Sequence, residues 1–359
     1  MKKIKKLFVT CTMRSGNSLL VSLLSSNKNY LLLNERLHFF RFIFNNYNPL
    51  SIKKVDNMLF DLNLRLKYRH YFQINRSHLK KKIKSEITYK NIYQNLMNYF
   101  SKMAKKKFWG ESSPMNWRSI PHFLDMFDDG CVIHLVRDPR AVFSSWKKLS
   151  SIPNYAYLNC IFNWLDSANH ILDYKKRFNK KRYIYLKYED LMKDPKKYTK
   201  KICKFINLEF SDYMLKKLNW TKNNDKLVSI PRSAHEGENI LGFSKKRIDN
   251  WKSELEDWEI HLIEHVLHKQ MKKLGYRTIL PKTKILRLNR EILSRINKNR
   301  LIKKNYQNFK NYKIGSPYYP KDPRDFKSWG ATGDDSKWFS KTRDGRNYLK
   351  EKMNYYTKR

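Results

Sequence analysis

Residues 7–11 (LFVTC) form a short apolar run that breaks into Thr12-Met13-Arg14-Ser15-Gly16-Asn17-Ser18, after which Leu19, Leu20, Leu23 and Leu24 return at helical spacing. The pattern predicts strand, loop, helix. At such a junction successive backbone N–H groups and the positive helix end form a site for an anion. Arg14 and the hydroxyls of Ser15 and Ser18 add donors. Against the nucleoside-triphosphatase pattern GxxxxGK[ST], position 11 is Cys, and position 17, where Lys would grip the terminal phosphates, is Asn. A magnesium-dependent triphosphatase or nucleotide kinase is therefore disfavoured.

The same order recurs downstream. Residues 131–136 (CVIHLV) read as a buried strand, and Asp138 can cap a helix whose first turn takes Pro139 and whose inner face carries Val142, Phe143 and Trp146. Leu158, Ile161, Phe162, Leu165, Ala168 and Leu172 mark a long amphipathic helix, and residues 183–188 (YIYLKY) a third strand with a helix after it. Strands alternating with helices predict an α/β fold with a parallel sheet covered on both faces. Residues 37–107, rich in Tyr, Asn, Phe and Lys, show helical patches and no clear strand, which suits an inserted helical layer shaping a pocket. Residues 255–274 read as a last helix, with Gly275 as its stop.

Two parts are therefore expected: residues 1–280, with the insertion at about 37–107, and a basic extension, residues 281–359, with 22 Lys and Arg against 7 Asp and Glu. The extension reads either as a loosely docked tail or as a basic arm for an anionic acceptor or surface, and Trp329, Trp338 and several Tyr argue for some docking. The whole chain carries 76 Lys and Arg against 32 Asp and Glu, a net +44, compatible with anionic small molecules, acidic polysaccharides, nucleic acids and anionic membranes alike. No recognisable RNA or DNA module accompanies it, and the abundance of Asn, Ile and Tyr beside Lys fits a compositional bias filling solvated faces. Cys11, Cys131, Cys160 and Cys203 are scattered within apolar segments, as reduced core residues are. Residues 1–6 are basic like a signal-peptide start, but the apolar run behind them is short, and no stretch nears the roughly 18 apolar residues of a membrane span. The expected setting is cytoplasmic, with peripheral membrane contact left open.

TMRSGNSLL resembles the 5′-phosphosulfate loop of the sulfotransferases that use 3′-phosphoadenosine 5′-phosphosulfate (PAPS), especially their carbohydrate and tyrosylprotein branches. About 120 residues on, Val136-Arg137-Asp138-Pro139-Arg140-Ala141-Val142-Phe143-Ser144-Ser145-Trp146 resembles the family's 3′-phosphate motif, an Arg at a strand end and a Ser eight residues later, matched by Arg137 and Ser145. A guanidinium at a strand's carboxyl end and a hydroxyl on the next helix can converge on one phosphate beside a nucleotide. Tyr188-Glu189-Asp190-Leu191 is similar to the family's YEDL segment, where the Tyr lies near the adenine. Residues 242–251 (GFSKKRIDNW) look like the loop that closes over the nucleotide, with Ser244, Lys245, Lys246 and Arg247 as phosphate contacts.

Spanning roughly residues 5–276, the resemblance implies a P-loop-like three-layer fold with a central parallel sheet and a helical insertion after the first strand-helix unit. It also implies PAPS as donor without a metal, and transfer of the sulfuryl group to a hydroxyl acceptor. A saccharide or glycolipid is the acceptor expected, an anionic one included; peptide tyrosine is the alternative, and a catalytically weak basic nucleotide or polyanion binder a further one. The oligomeric state is left open. Glu35 is the expected base: it resembles the Glu ending the corresponding helix–strand unit, 21 residues after Arg14, although an ion pair with Arg36 would also account for it. His235, in Ser233-Ala234-His235-Glu236, is the reserve; His122 is another, and His134, mid-strand, reads as core. Many members carry Lys in a GEKSP-like segment where this chain has Gly110-Glu111-Ser112-Ser113-Pro114. Ser112 either donates a hydrogen bond there, is replaced by a Lys from elsewhere, or leaves the chemistry weaker.

Overall fold

Continuous burial on both faces is what makes the central strands strands: β1 (Lys6–Cys11) and β4 (Gly130–Val136) are enclosed almost throughout, the signature of parallel strands covered by helices. The computed structural model describes residues 3–149, 156–221, 227, 243–315 and 342–357; His235, Gly242, Trp329, Trp338 and the side chain of Lys246 lie outside what is described. Among the described residues five strands form one parallel sheet in the order β2 (Tyr30–Asn34), β3 (Phe108–Ser112), β1, β4, β5 (Tyr183–Lys187). β2 and β3 are additions to the three strands expected from sequence. The chain leaves β1 through α1 (Asn17–Ser25) toward β2 and leaves β4 through the Pro139–Leu149 helix toward β5. The crevice at the carboxyl ends of β1 and β4 is thus the topological switch point, where open α/β sheets hold ligands.

Register brings two loops together there. Cys11 pairs with Leu135, so the segments carrying Arg14 and Arg137 leave the sheet side by side. On the other flank Asn34 pairs with Ser112, and the Glu35 amide donates to the Ser112 carbonyl at 3.0 Å. Between β2 and β3 come four helices, Phe39–Phe42, Ile52–His70, Arg76–Ile83 and Tyr89–Met103. Ser51, Asn75 and Thr88 start the last three by accepting backbone N–H groups that would otherwise lack partners.

The described part of residues 281–359 packs on the rest. Ile292, Ile296, Ile302 and Phe309 join Trp164, Leu165, Ile263 and Leu267 in one buried cluster. The Arg343–Thr357 helix lies on the Ile52–His70 helix, where Tyr355 stacks on Phe60 at 3.6 Å between ring centroids. All four cysteines are free and buried, as expected.

Glu111 on β3 is fully enclosed; the Tyr93 hydroxyl and the Phe39 amide donate to it, and burial pushes its carboxyl up to about 7. Because the folded value lies above the unfolded one, the unfolded chain releases this proton first as pH rises, so stability contributed here is lost between about pH 4.5 and pH 7. Glu111→Gln should flatten that part of the pH dependence in urea unfolding at pH 5 and pH 7; an unchanged slope would show that Glu111 ionises normally.

Candidate active site

The loop after β1 needs conformations most residues avoid. Arg14 has φ 70°, and Gly16, at φ 100° and ψ 14°, stands at the head of α1. A Cβ on Gly16 would lie 2.5 Å from Tyr188 Cδ2, so glycine is required both by the left-handed backbone and by the ring beneath it. The Thr12 and Ser15 hydroxyls share a hydrogen bond of 2.7 Å that folds the loop inward. Ser18, partly buried on α1, accepts at its carbonyl from the Ser22 hydroxyl.

Arg137 joins three segments at the end of β4. Its Nη1 donates to the Arg14 carbonyl at 3.1 Å and its Nη2 to the Arg247 carbonyl at 2.7 Å, while the guanidinium lies 4.5 Å from the Tyr188 ring centroid. Its Nε is buried with no hydrogen-bond partner among the described residues. Arg14 in turn donates from Nε to the Ser145 hydroxyl at 2.9 Å. Burial lowers the pKa of Arg14, and the nearby Arg137 and Arg247 charges lower it further. A small polar cavity of about 80 Å³ opens between these groups, lined by Arg14, Arg137, Ser145, Arg247, Lys148 and Asn250, with Trp251, Ser144 and Glu254 at its wall. Ser144 and Lys148 both donate to Glu254.

Glu35 stands on the opposite side of the loop. It leaves β2 with φ 52°, and Asn17 Nδ2 donates at 3.2 Å both to Glu35 Oε1 and to Asn34 Oδ1. The Ser112 hydroxyl donates to Asn17 Oδ1. Asn17 and Ser112, at positions where lysines stand in the two motifs, thus form one neutral link ending on Glu35. Burial raises the Glu35 pKa above its ordinary value, against the opposing pull of Arg36, the Asn17 hydrogen bond, Arg14 and Arg41.

Arg14, Arg137, Ser145 and Arg247 therefore meet at one cavity, with Ser15, Gly16, Asn17 and Ser18 forming the loop beside it and Tyr188 beneath. Ser244 is partly buried and Lys245 exposed, and neither lines the cavity. His134 is core, bonded to Tyr183 and Ser167, and His122 is exposed beside Phe44. Lys148 escaped the sequence reading although it lies one turn beyond Ser145 on the same helix. Asn250 and Trp251 end the 242–251 segment expected to close over the nucleotide, although the resemblance marks neither as a contact. No cluster of His, Cys, Asp and Glu able to hold a metal, and no helix long and apolar enough to cross a membrane, occurs among the described residues.

A profile described as the sulfotransferase family matches residues 6–212. A flavonol 3-sulfotransferase from Flaveria bidentis is 30% identical over 122 residues, which span 30% of this chain and only 39% of that protein. The sulfotransferase domain from the curacin biosynthetic pathway superposes with TM-score 0.52 at 18% identity, over 78% of this chain and 100% of its own, which shows a shared fold. The sulfotransferase domain of the Synechococcus PCC 7002 olefin synthase covers 77% of this chain and 95% of its own at TM-score 0.49 and 20% identity.

Gly16→Ala should destabilise the protein by roughly 1–3 kcal/mol, the ordinary cost of a residue forced into a sparsely populated backbone region. Chemical denaturation checks this; unchanged stability would mean the loop relaxes away from Tyr188.

Proposed function

From the premise that the chain belongs to the sulfotransferase family, we propose that it transfers a sulfuryl group from PAPS to the hydroxyl of an acceptor. The observation that carries this reading is the meeting of Arg14, Arg137 and Ser145 at one cavity on the switch-point crevice, with a buried Arg137 Nε that has no partner among the described residues. Such a donor set, in a polar cleft beside a loop of backbone N–H groups, fits a nucleotide with phosphate at both the 3′ and 5′ positions.

PAPS supplies an electrophilic sulfuryl group whose bond to the 5′-phosphate breaks as a bond to the acceptor oxygen forms. In this reading Arg14, Ser15, Asn17, Ser18 and the N–H groups around Gly16 hold the 5′ end, where leaving charge develops. Arg137 and Ser145 hold the 3′-phosphate, Tyr188 backs the adenine side, and Ser244, Lys245, Lys246 and Arg247 belong to the segment that closes over the nucleotide. Glu35 takes the acceptor hydroxyl's proton; burial strengthens it as a base and the Asn17 amide orients it. The acceptor we favour is a carbohydrate or glycoconjugate, and the net charge of +44 suits one that is anionic. Free, buried cysteines support a reducing, cytoplasmic setting.

Adenosine 3′,5′-bisphosphate without metal should raise the thermal midpoint by several degrees, 5′-AMP and ATP with magnesium much less, and Arg137→Ala should erase the difference. Equal or better stabilisation by ATP with magnesium would replace this reading with a triphosphate enzyme. For catalysis, the acidic limb of kcat against pH should lie above the ordinary carboxylate range, since activity requires ionised Glu35 and its pKa is raised. Glu35→Gln should lower kcat by about 100-fold or more and remove that limb; a limb that survives would assign it to another group.

A further inference from the structure

Glu35 is the first residue of a turn whose shape is not self-sustaining. Glu35 at φ 52° and His38 at φ 46°, both with side chains, occupy the left-handed region on either side of Arg36 and Leu37. The turn is closed by contacts at each end: the Glu35 amide on the Ser112 carbonyl, His38 Nδ1 with the Ser113 hydroxyl at 3.0 Å, and the Phe39 amide on Glu111. Its middle is gripped by a side chain from a neighbouring helix. Arg65, 4% exposed on the Ile52–His70 helix, donates from Nη2 to the carbonyls of Arg36 and Leu37, each at 2.6 Å. The Nη2 group carries two N–H bonds and can therefore serve two adjacent carbonyls at once.

Arg65 is itself packed against an aromatic ring and stands on a braced helix. The Phe42 ring centroid lies 4.6 Å from its guanidinium carbon. The Arg343–Thr357 helix packs on the helix that carries Arg65: its fully buried Tyr348 lies with Phe60 and Leu64, and its Glu351 accepts from Lys67 and Tyr68. A segment nearly three hundred residues downstream thus braces the helix that grips the turn.

We propose that Arg65 is a positioning residue: it holds the Arg36–Leu37 turn in the conformation that keeps the Glu35 carboxylate on Asn17, with the Arg343–Thr357 helix as its brace. The inference rests on the reading of Glu35 as the base, and its test separates the two. Full-length wild type, Arg65→Met and Arg65→Lys are compared by hydrogen–deuterium exchange of residues 33–44, by adenosine 3′,5′-bisphosphate thermal shift, and by release of that bisphosphate from PAPS with 4-nitrophenol or water as acceptor. Arg65→Met should speed exchange in the turn at least tenfold, leave the bisphosphate shift and the KM for PAPS within twofold of wild type, and lower kcat by tens of fold; Arg65→Lys should recover part of each change. Exchange in Arg65→Met equal to wild type would overturn the inference, as would a KM for PAPS that rises in step with the fall in kcat. If wild type neither binds the bisphosphate nor releases it, the sulfotransferase reading fails on its own, and the exchange comparison still decides whether Arg65 holds the turn.

Discussion

The grip of the Arg137 guanidinium on two backbone carbonyls is the contact on which the arrangement of the cleft depends. It ties the loop after β1, through Arg14, to the segment before the last helices, through Arg247, while the Trp164 indole pins the Arg137 carbonyl at 2.9 Å. Tyr188 lies under Arg137 and against Gly16, so one ring sets both the height of the guanidinium and the path of the loop. Three positively charged side chains are thereby held close together, a costly arrangement that an anion would relieve.

A second constraint runs along the opposite flank. Asn17 and Ser112 fill positions where cations stand in related motifs, and their neutral amide and hydroxyl carry a hydrogen-bonded line to Glu35. Neither link residue brings a charge of its own to the Glu35 carboxylate, whose proton affinity burial raises against the pull of Arg36, Arg14 and Arg41. The two flanks share α1: Gly16 leads into it on the cationic side and Asn17, the next residue, serves Glu35.

What the sequence made legible follows the reach of local signals. β1, β4 and β5 announce themselves as apolar runs closed by turn residues, and the loop by its Arg, Ser and Gly. β2 hides because Tyr30–Asn34 continues the leucine pattern of α1 after a short connection. β3 hides because Phe108–Ser112 contains Gly and Glu, poor strand formers in isolation; Gly110 is there because a Cβ would lie 2.8 Å from the Leu7 carbonyl oxygen, and Glu111 because Tyr93 and Phe39 satisfy it. The Arg65 grip and the docking of Tyr348 and Tyr355 depend on contacts between distant segments, which periodicity cannot encode.

The most direct test of the central claim is a crystal structure of the intact chain grown with adenosine 3′,5′-bisphosphate. The account predicts the 3′-phosphate within hydrogen-bond reach of Arg137 and Ser145 and the 5′-phosphate on the N–H groups around Gly16. A nucleotide bound in the reverse sense, or density only away from the β1–β4 crevice, would contradict it.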